Sequence, residues 1–101
     1  MIKIKIEKEN NLISKIEMKG HSGYDVSGKD IVCAGASTII ITTLNAIIRY
    51  NEEAISYNQD EGYVEVIIKK HDNVVDILLE NAISLLKELE TQYKNNVKIY
   101  E

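Results

Sequence analysis

The feature that most constrains this chain is a stretch of eighteen residues without a charged side chain, from Ile31 to Ile48. As a helix it would extend about 27 Å, which is close to the length of a membrane span. Ser37, three threonines and Asn45 interrupt the stretch, and the mean hydropathy of the chain is −0.18. We therefore interpret it as a core helix and expect no membrane partner.

Local propensity and length give opposite indications for this stretch. The run from Thr38 to Thr43 is β-branched, which favours a strand. The stretch is longer than a usual strand, and Asp30 before it can accept backbone N–H groups as a helix N-cap. We predict a helix that begins after Asp30. Without charges it should be buried nearly all round, by the sheet on one side and by another subunit as a candidate on the other.

The N-terminal part of the chain predicts a β-hairpin. Isoleucine alternates with charged residues over 2–7, which is the period of a strand with one buried face. Asn10 and the next Asn indicate a turn. In the strand that follows we expect Leu12, Ile16 and Met18 on the buried face.

The rest of the chain predicts a second hairpin, a second helix and a last strand. The hairpin consists of a short strand at 56–57, a turn over 59–62 and a strand over 63–69. Apolar residues at helical spacing indicate a helix from caps at Asp72 and Asn73 to about Tyr93, followed by a strand over 97–100. The order ββαββαβ predicts an α/β fold, an α+β sandwich with a largely antiparallel sheet covered by two helices, in one domain over residues 1–101.

Composition excludes several classes of function. Twelve basic and sixteen acidic residues give a net charge of −4, the wrong sign for neutralising phosphates, so we expect no direct nucleic-acid partner. One cysteine and two histidines without metal-ligand spacing predict neither a metal site nor a cofactor. A single thiol suits a reducing compartment, and we expect a cytoplasmic protein.

The candidate chemistry lies around a glycine-bearing segment from Gly20 to Asp30. If Asp30 is the N-cap, Cys33 is the third helical residue, where unpaired N–H groups and the helix dipole stabilise a thiolate. His21 would supply the cation if the loop folds back. Such a pair is a nucleophile and a general acid for acyl transfer, and N–H groups at the helix start, including that of Cys33, could hold the oxyanion. Ser37 lies one turn further along the same face.

Simpler interpretations stand beside this one. A lone cysteine in an apolar helix is often an inert core residue, and Asp30 and Ser37 could serve only capping and packing. His71, between a lysine and an aspartate, is most simply a solvated loop residue. A thiol redox sensor is disfavoured because the chain has no resolving cysteine besides Cys33.

Three blocks of the sequence together resemble a known family. They are Gly20-His21 with the loop after it, the run from Gly28 through Asp30-Ile31-Val32-Cys33 to Ser37, and Leu44-Asn45-Ala46-Ile47. In this order they are similar to the signature of the ribosomal processing cysteine proteases, the Prp family. The Gly-His block paired with the Asp-Ile-Val-Cys block is the specific part of the likeness.

The resemblance implies a cytoplasmic, homodimeric endopeptidase. Members would remove the N-terminal extension of ribosomal protein L-twenty-seven during large-subunit assembly, through a thioester acyl-enzyme, so the partner is the N-terminal peptide of a large-subunit ribosomal protein. It implies Cys33 as the nucleophile and His21 as its partner, and a loop over 22–29 that orders over the substrate. The implied supporting residues are Gly20, Gly28, Asp30 and Ser37. The alternative is a non-catalytic ribosome-assembly factor that binds the same peptide.

Overall fold

The structure is a computed structural model that describes residues 1–26 and 29–101. Seven elements follow one another in the predicted ββαββαβ order. They are β1 (Ile2–Glu9), β2 (Leu12–Lys19), α1 (Ile31–Tyr50), β3 (Ile55–Asp60), β4 (Tyr63–Ile68), α2 (Asn73–Gln92) and β5 (Val97–Tyr100).

The five strands form one sheet in the order β3-β4-β2-β1-β5. Of the four strand pairings within the described residues, β1–β5 is parallel and the other three are antiparallel, so the sheet is largely antiparallel as predicted. At the end of β2, Lys19 pairs with Tyr63, and the N–H of Gly20 donates to the carbonyl of Gly62 at 2.9 Å. The segment that leaves β2 therefore starts beside the β3–β4 turn, and this places His21.

Both helices cover the face of the sheet that carries the buried side chains. The alternation in β1 places three isoleucines inside, each at most 3% exposed, and the buried residues of strands and helices form one cluster. α1 contributes Val32, Ala36, Ile40, Leu44 and Ile47 to this core, and α2 contributes Val75, Leu79, Ala82, Ile83 and Leu86. These positions recur every three or four residues, which is the spacing of one helix face.

The predicted phase of β2 is wrong at its start. The ladder with β1 shifts register between Glu7 and Lys8, which leaves Ser14 as an extra residue on β2. One extra residue reverses the alternation of faces, because side chains in a strand have a period of two. Ile13 is therefore buried, whereas Leu12 is 41% exposed.

The second hairpin is tighter than predicted. β3 extends to Asp60, and Gln59 and Asp60 pair with β4 instead of lying in the turn. Polar side chains are tolerated there because β3 is an edge strand and exposes them. The connection is reduced to Glu61 and Gly62, and Gly62 has the positive φ of +67° that the tight turn requires.

α1 is a helix despite its β-branched run, and the prediction that it begins after Asp30 is confirmed. By length and composition alone it could cross a membrane, since its mean hydropathy over eighteen residues is 2.0, but its buried stripe packs into the core. Within the single chain the sheet and α2 cover one side of α1, and cover of the other side by another subunit stays a prediction. On the other side Ile31 is 57% exposed.

Candidate active site

Three segments meet at the start of α1: the segment after β2, the first turns of α1 and the β3–β4 turn. Two adjoining clefts of about 510 and 300 Å³ open between them. Both are lined by His21, Cys33, Ser37 and Glu61. The fold thus brings the predicted His21 and Cys33 to one cleft system from positions twelve apart in the sequence.

Capping of α1 fixes the position of Cys33. Asp30 has extended backbone geometry, and its Oδ1 accepts the N–H groups of Val32 at 3.1 Å and Cys33 at 2.9 Å. Cys33 is therefore the third helical residue, as predicted, with a free and half-buried thiol. The expectation that the N–H of Cys33 is available to an oxyanion is wrong in this structure, because that N–H donates to the cap.

The loop after β2 folds back onto the sulfur. The backbone N–H of Ser22 donates to Sγ of Cys33 at 3.2 Å. A hydrogen bond to an ionised acceptor is stronger than one to a neutral acceptor, so this N–H would stabilise negative charge that forms on the sulfur. The residue after His21 thus contacts the nucleophile candidate directly.

The imidazole of His21 lies against the β3–β4 turn. A Cβ built on Gly62 would come within 3.0 Å of Nε2 and 3.3 Å of Cε1 of His21. Gly62 is thus required for both its positive φ and the space that the ring occupies. His21 is exposed, and among the described residues no hydrogen bond joins its ring to another side chain. The ring is therefore accessible to a substrate in the cleft.

The Asp30 carboxylate is ionised at neutral pH, and hydrogen-bond donors stabilise its negative charge. Desolvation acts to raise its pKa, but hydrogen bonds from the Ser22 hydroxyl and from the backbone N–H of Cys33 outweigh it and lower the pKa from 3.8 to about 2. The Ser22 hydroxyl donates to Oδ2, while Oδ1 holds the helix N–H groups. These donors offset the repulsion that a bare carboxylate would exert on a nearby thiolate.

The other predicted supporting residues have mixed positions. Ser37 is exposed in both clefts. Gly20 has φ of +98°, and a Cβ there would lie 2.6 Å from the carbonyl oxygen of Met1, so its role in the structure is a backbone one. Gly28 lies outside the described residues, as does part of the predicted loop over 22–29. The supporting roles assigned to these positions remain predictions.

His71 lies outside both clefts, before α2, where its Nδ1 is 2.8 Å from Oδ1 of Asp76. The interpretation of His71 as a solvated loop residue missed this contact.

Over residues 1–26 and 29–101, no group of three or more His, Cys, Asp or Glu side chains could hold a metal ion.

The sequence did not reveal three residues of the site. The sequence indicates Gly62 only as part of a turn, and its contact with His21 depends on the pairing of β2 with β4. Ser22 is 2% exposed, which its place in a polar loop did not indicate. Asn96 donates from Nδ2 to the Ser22 carbonyl at 3.0 Å from 74 residues away, and no local pattern could have shown this.

Comparison with known proteins identifies relatives over nearly the whole chain. The family model described as "Cysteine protease Prp" matches residues 1–98. The "Ribosomal processing cysteine protease Prp" of Staphylococcus aureus (strain Mu50) is 28% identical over 90 residues, which cover 86% of this chain and 85% of that protein. The protein of the same name from Bacillus subtilis (strain 168) is 29% identical over 94 residues, with 86% and 84% covered.

Two solved structures show the same fold with peptides bound. The crystal structure of an essential ribosomal processing protease Prp from S. aureus with a covalently linked product peptide matches with a TM-score of 0.92 and 27% identity, over 99% of this chain and 98% of that one. The structure of that S. aureus protease with a substrate peptide matches with a TM-score of 0.88 and 26% identity, over 100% of both chains.

Proposed function

This chain belongs to the cysteine protease Prp family, and we propose that it is a site-specific endopeptidase that uses a Cys33–His21 dyad. Its proposed substrate is the N-terminal extension of ribosomal protein L-twenty-seven, removed during large-subunit assembly. The observation that carries the proposal is the shared cleft of Cys33 and His21, with an N–H donor on the sulfur. The names of the relatives and the peptides bound to related structures support it.

The proposed reaction is acyl transfer in two stages. His21 takes the proton of the Cys33 thiol, and the thiolate forms a bond with the scissile carbonyl carbon. The C–N bond then breaks as the imidazolium of His21 protonates the leaving amine, which leaves a thioester on Cys33. A water molecule, deprotonated by His21, then attacks the thioester carbonyl carbon. The C–S bond breaks, the acyl part leaves as a carboxylic acid, and the released thiolate takes back a proton from the His21 imidazolium.

The environment of the sulfur supports the first stage. The N–H of Ser22 and the N-terminal end of α1 both stabilise negative charge at Sγ, and the charge of Asp30 is compensated by its own donors. Ser37, one helical turn beyond Cys33, lines the cleft where the substrate backbone would lie. Gly20 and Gly28 are proposed as supporting positions for the loop.

A cytoplasmic homodimer is the proposed working form. The face of α1 turned away from the core carries no charge over most of its length, and Ile31 and Thr38 are exposed there. Such a face would be covered by a second copy of the chain. Sedimentation velocity at micromolar concentration is expected to show a dimer, and a monomer under those conditions would remove this part of the proposal.

Charge supports a peptide partner more than a nucleic acid. The net charge is −4, and carboxylates of Asp25, Asp60 and Glu61 line the clefts beside His21. This surface complements a basic ribosomal protein segment and repels phosphates.

The test is cleavage of a synthetic peptide that spans the junction between the extension and the mature N-terminus. The wild-type chain is expected to cut at one bond, and Cys33→Ala is expected to bind the peptide without cutting it. Binding without cleavage by the wild type would instead support a non-catalytic assembly factor. Full cleavage by Cys33→Ala would refute the dyad.

A further inference from the structure

Ser22 is 2% exposed, and each of its polar atoms is hydrogen-bonded, as expected of buried polar groups. Its N–H donates to Sγ of Cys33 at 3.2 Å and its hydroxyl donates to Asp30. The same hydroxyl accepts the N–H of Tyr24 at 3.1 Å, and its carbonyl accepts Nδ2 of Asn96 at 3.0 Å. The position of this residue sets the direction of the N–H that reaches the sulfur.

The segment that carries Ser22 has little backbone stiffness of its own. Gly20 and Gly23 flank it with φ of +98° and +71°, and neither glycine has a side chain to resist rotation. His21 and Ser22 also lie outside every strand, so no sheet ladder holds them. The restraint has to come from other parts of the molecule.

Asn96 supplies such a restraint from the junction of α2 and β5. Its own backbone is fixed, since its N–H donates to Tyr93 at 2.9 Å and its carbonyl accepts the N–H of Ile2 at 2.8 Å. These two hydrogen bonds hold the backbone of Asn96 in place, so its side chain extends towards Ser22 from a fixed position. The ring of Tyr93, from the same junction, also packs edge-on against Tyr24, with ring centroids 5.4 Å apart.

We propose that Asn96 is a positioning residue for proteolysis, which acts by holding Ser22 so that the Ser22 N–H points at Sγ of Cys33. This rests on the proposed function, because the sulfur is the nucleophile only if the dyad is catalytic. Hydrogen bonds weaken steeply as they lose alignment, so a small rotation of the Ser22 peptide would reduce the stabilisation of the thiolate. Among the described residues, the hydrogen bond of the Asn96 side chain goes to Ser22, and Asn96 does not line either cleft.

The experiment compares Asn96→Ala with Asn95→Ala, its exposed neighbour. The Ala variant keeps both backbone hydrogen bonds of residue 96 and removes only the bond to Ser22. We expect kcat for the junction peptide to fall about tenfold, the scale of one lost hydrogen bond, with KM within about twofold. Alkylation of Cys33 by iodoacetamide at pH 7 should slow in parallel, and Asn95→Ala should match the wild type in both assays.

A merely structural role would lower the melting temperature and leave kcat and the alkylation rate of the folded protein unchanged. That result, or an equal loss in Asn95→Ala, would overturn the proposal. If Asn96→Ala does not fold, the isosteric Asn96→Asp replaces the donor by a carboxylate that repels the Ser22 carbonyl. It should lose kcat and alkylation rate at least as strongly, and wild-type values in it would overturn the proposal.

Assaying Cys33→Ala beside these variants distinguishes a failure of the proposed dyad from a failure of the role of Asn96. If it cleaves the peptide, the dyad itself fails. If it is inactive while Asn96→Ala retains wild-type rates, only the role of Asn96 fails. The alkylation assay needs no substrate, so it decides the role of Asn96 even if the junction peptide is not the true substrate.

Discussion

The starts of α1 and α2 are built alike but differ in what surrounds them. Each helix is capped by an aspartate, Asp30 or Asp72, whose Oδ1 accepts the N–H of the third helical residue at 2.9 Å. That third residue is Cys33 in α1 and Val75 in α2. A capped helix start is therefore not in itself a site, and the difference lies in the thiol and in the groups brought to it.

The second carboxylate oxygen, Oδ2, of each capping aspartate accepts a different donor, and this distinguishes the two helix starts. In α2 it accepts the hydroxyl of Tyr50, from the end of α1, at 2.7 Å, and this bond only joins the two helices. In α1 the donor is Ser22, whose N–H also reaches the sulfur and which follows His21 directly. The same capping chemistry thus joins two helices at the start of α2 and holds the proposed nucleophile Cys33 at the start of α1.

The largest expected effect separates the two histidines. His21→Ala should lower kcat for the junction peptide by about 10²- to 10⁴-fold, the range for loss of a general acid–base group. His71→Ala should leave it close to the wild type, because His71 contacts Asp76 and lies outside the clefts. Steady-state kinetics on both variants decides this, and similar losses in both would contradict the comparison.

The two caps provide the second test. Asp30→Ala and Asp72→Ala should each lower the melting temperature by several degrees, because each removes an N-cap. Only Asp30→Ala should also reduce cleavage, since it releases both the start of α1 at Cys33 and the hydroxyl of Ser22. Calorimetry and peptide cleavage on the two purified variants measure these effects. Equal cleavage by both variants would show that Asp30 is only a cap.

The third test compares the residues that contact the two histidine rings, which are Gly62 beside His21 and Asp76 beside His71. Gly62→Ala places a Cβ 3.0 Å from Nε2 of His21 and strains a residue at φ +67°, so the ring must move. We expect kcat to fall several-fold and the NMR signals of the His21 ring to shift. Asp76→Ala, which frees His71 instead, is the matched control and should leave cleavage unchanged. An unshifted His21 ring in Gly62→Ala would contradict the assigned contact.

The smallest expected effect is the contribution of the Asp30 carboxylate to stability at acidic pH. The pKa of Asp30 is lowered to about 2 in the folded chain, so the unfolded chain binds more protons as the pH falls from about 4 to 2. The stability that this carboxylate contributes is therefore complete above about pH 4 and is lost over that interval. Ser22→Ala removes a donor and should raise the pKa of Asp30, while that of Asp72 stays lowered by its bonds to Val75 and Tyr50.

Carboxyl-carbon NMR titration of wild type and Ser22→Ala measures this shift. An Asp30 midpoint near 3.8 in the wild type would contradict the described hydrogen bonds, as would a midpoint unchanged by Ser22→Ala.

The parts of the molecule predicted correctly from the sequence depend on local rules. The capping of α1 by Asp30 and the resulting place of Cys33 follow from a few adjacent residues, and so does the helical spacing of α2. The buried phase of β2 could not be predicted, because the extra residue Ser14 is visible only in its pairing with β1.

The remaining details of the site depend on contacts across the fold. The bond between Asn96 and Ser22 and the contact between Gly62 and His21 each join segments that the sheet brings together. From the sequence, the N–H of Cys33 is expected to be available to an oxyanion. In the structure this N–H donates to Oδ1 of Asp30, which depends on the rotamer of the Asp30 side chain. Residue types and spacing therefore predict that His21 and Cys33 lie together, and the structure places both in the same clefts. The contacts of Gly62, Ser22 and Asn96 required the structure.

The most direct measurement of whether Cys33 is the nucleophile is trapping with a peptide chloromethyl ketone that carries the sequence of the extension. Intact mass spectrometry should show one adduct per chain, formed as Sγ displaces chloride, and the chain has no other thiol. The adduct should be absent in Cys33→Ala, slow in His21→Ala and normal in His71→Ala. An adduct that persists in Cys33→Ala, or cleavage of the junction peptide by a chain that the reagent never labels, would contradict the assignment.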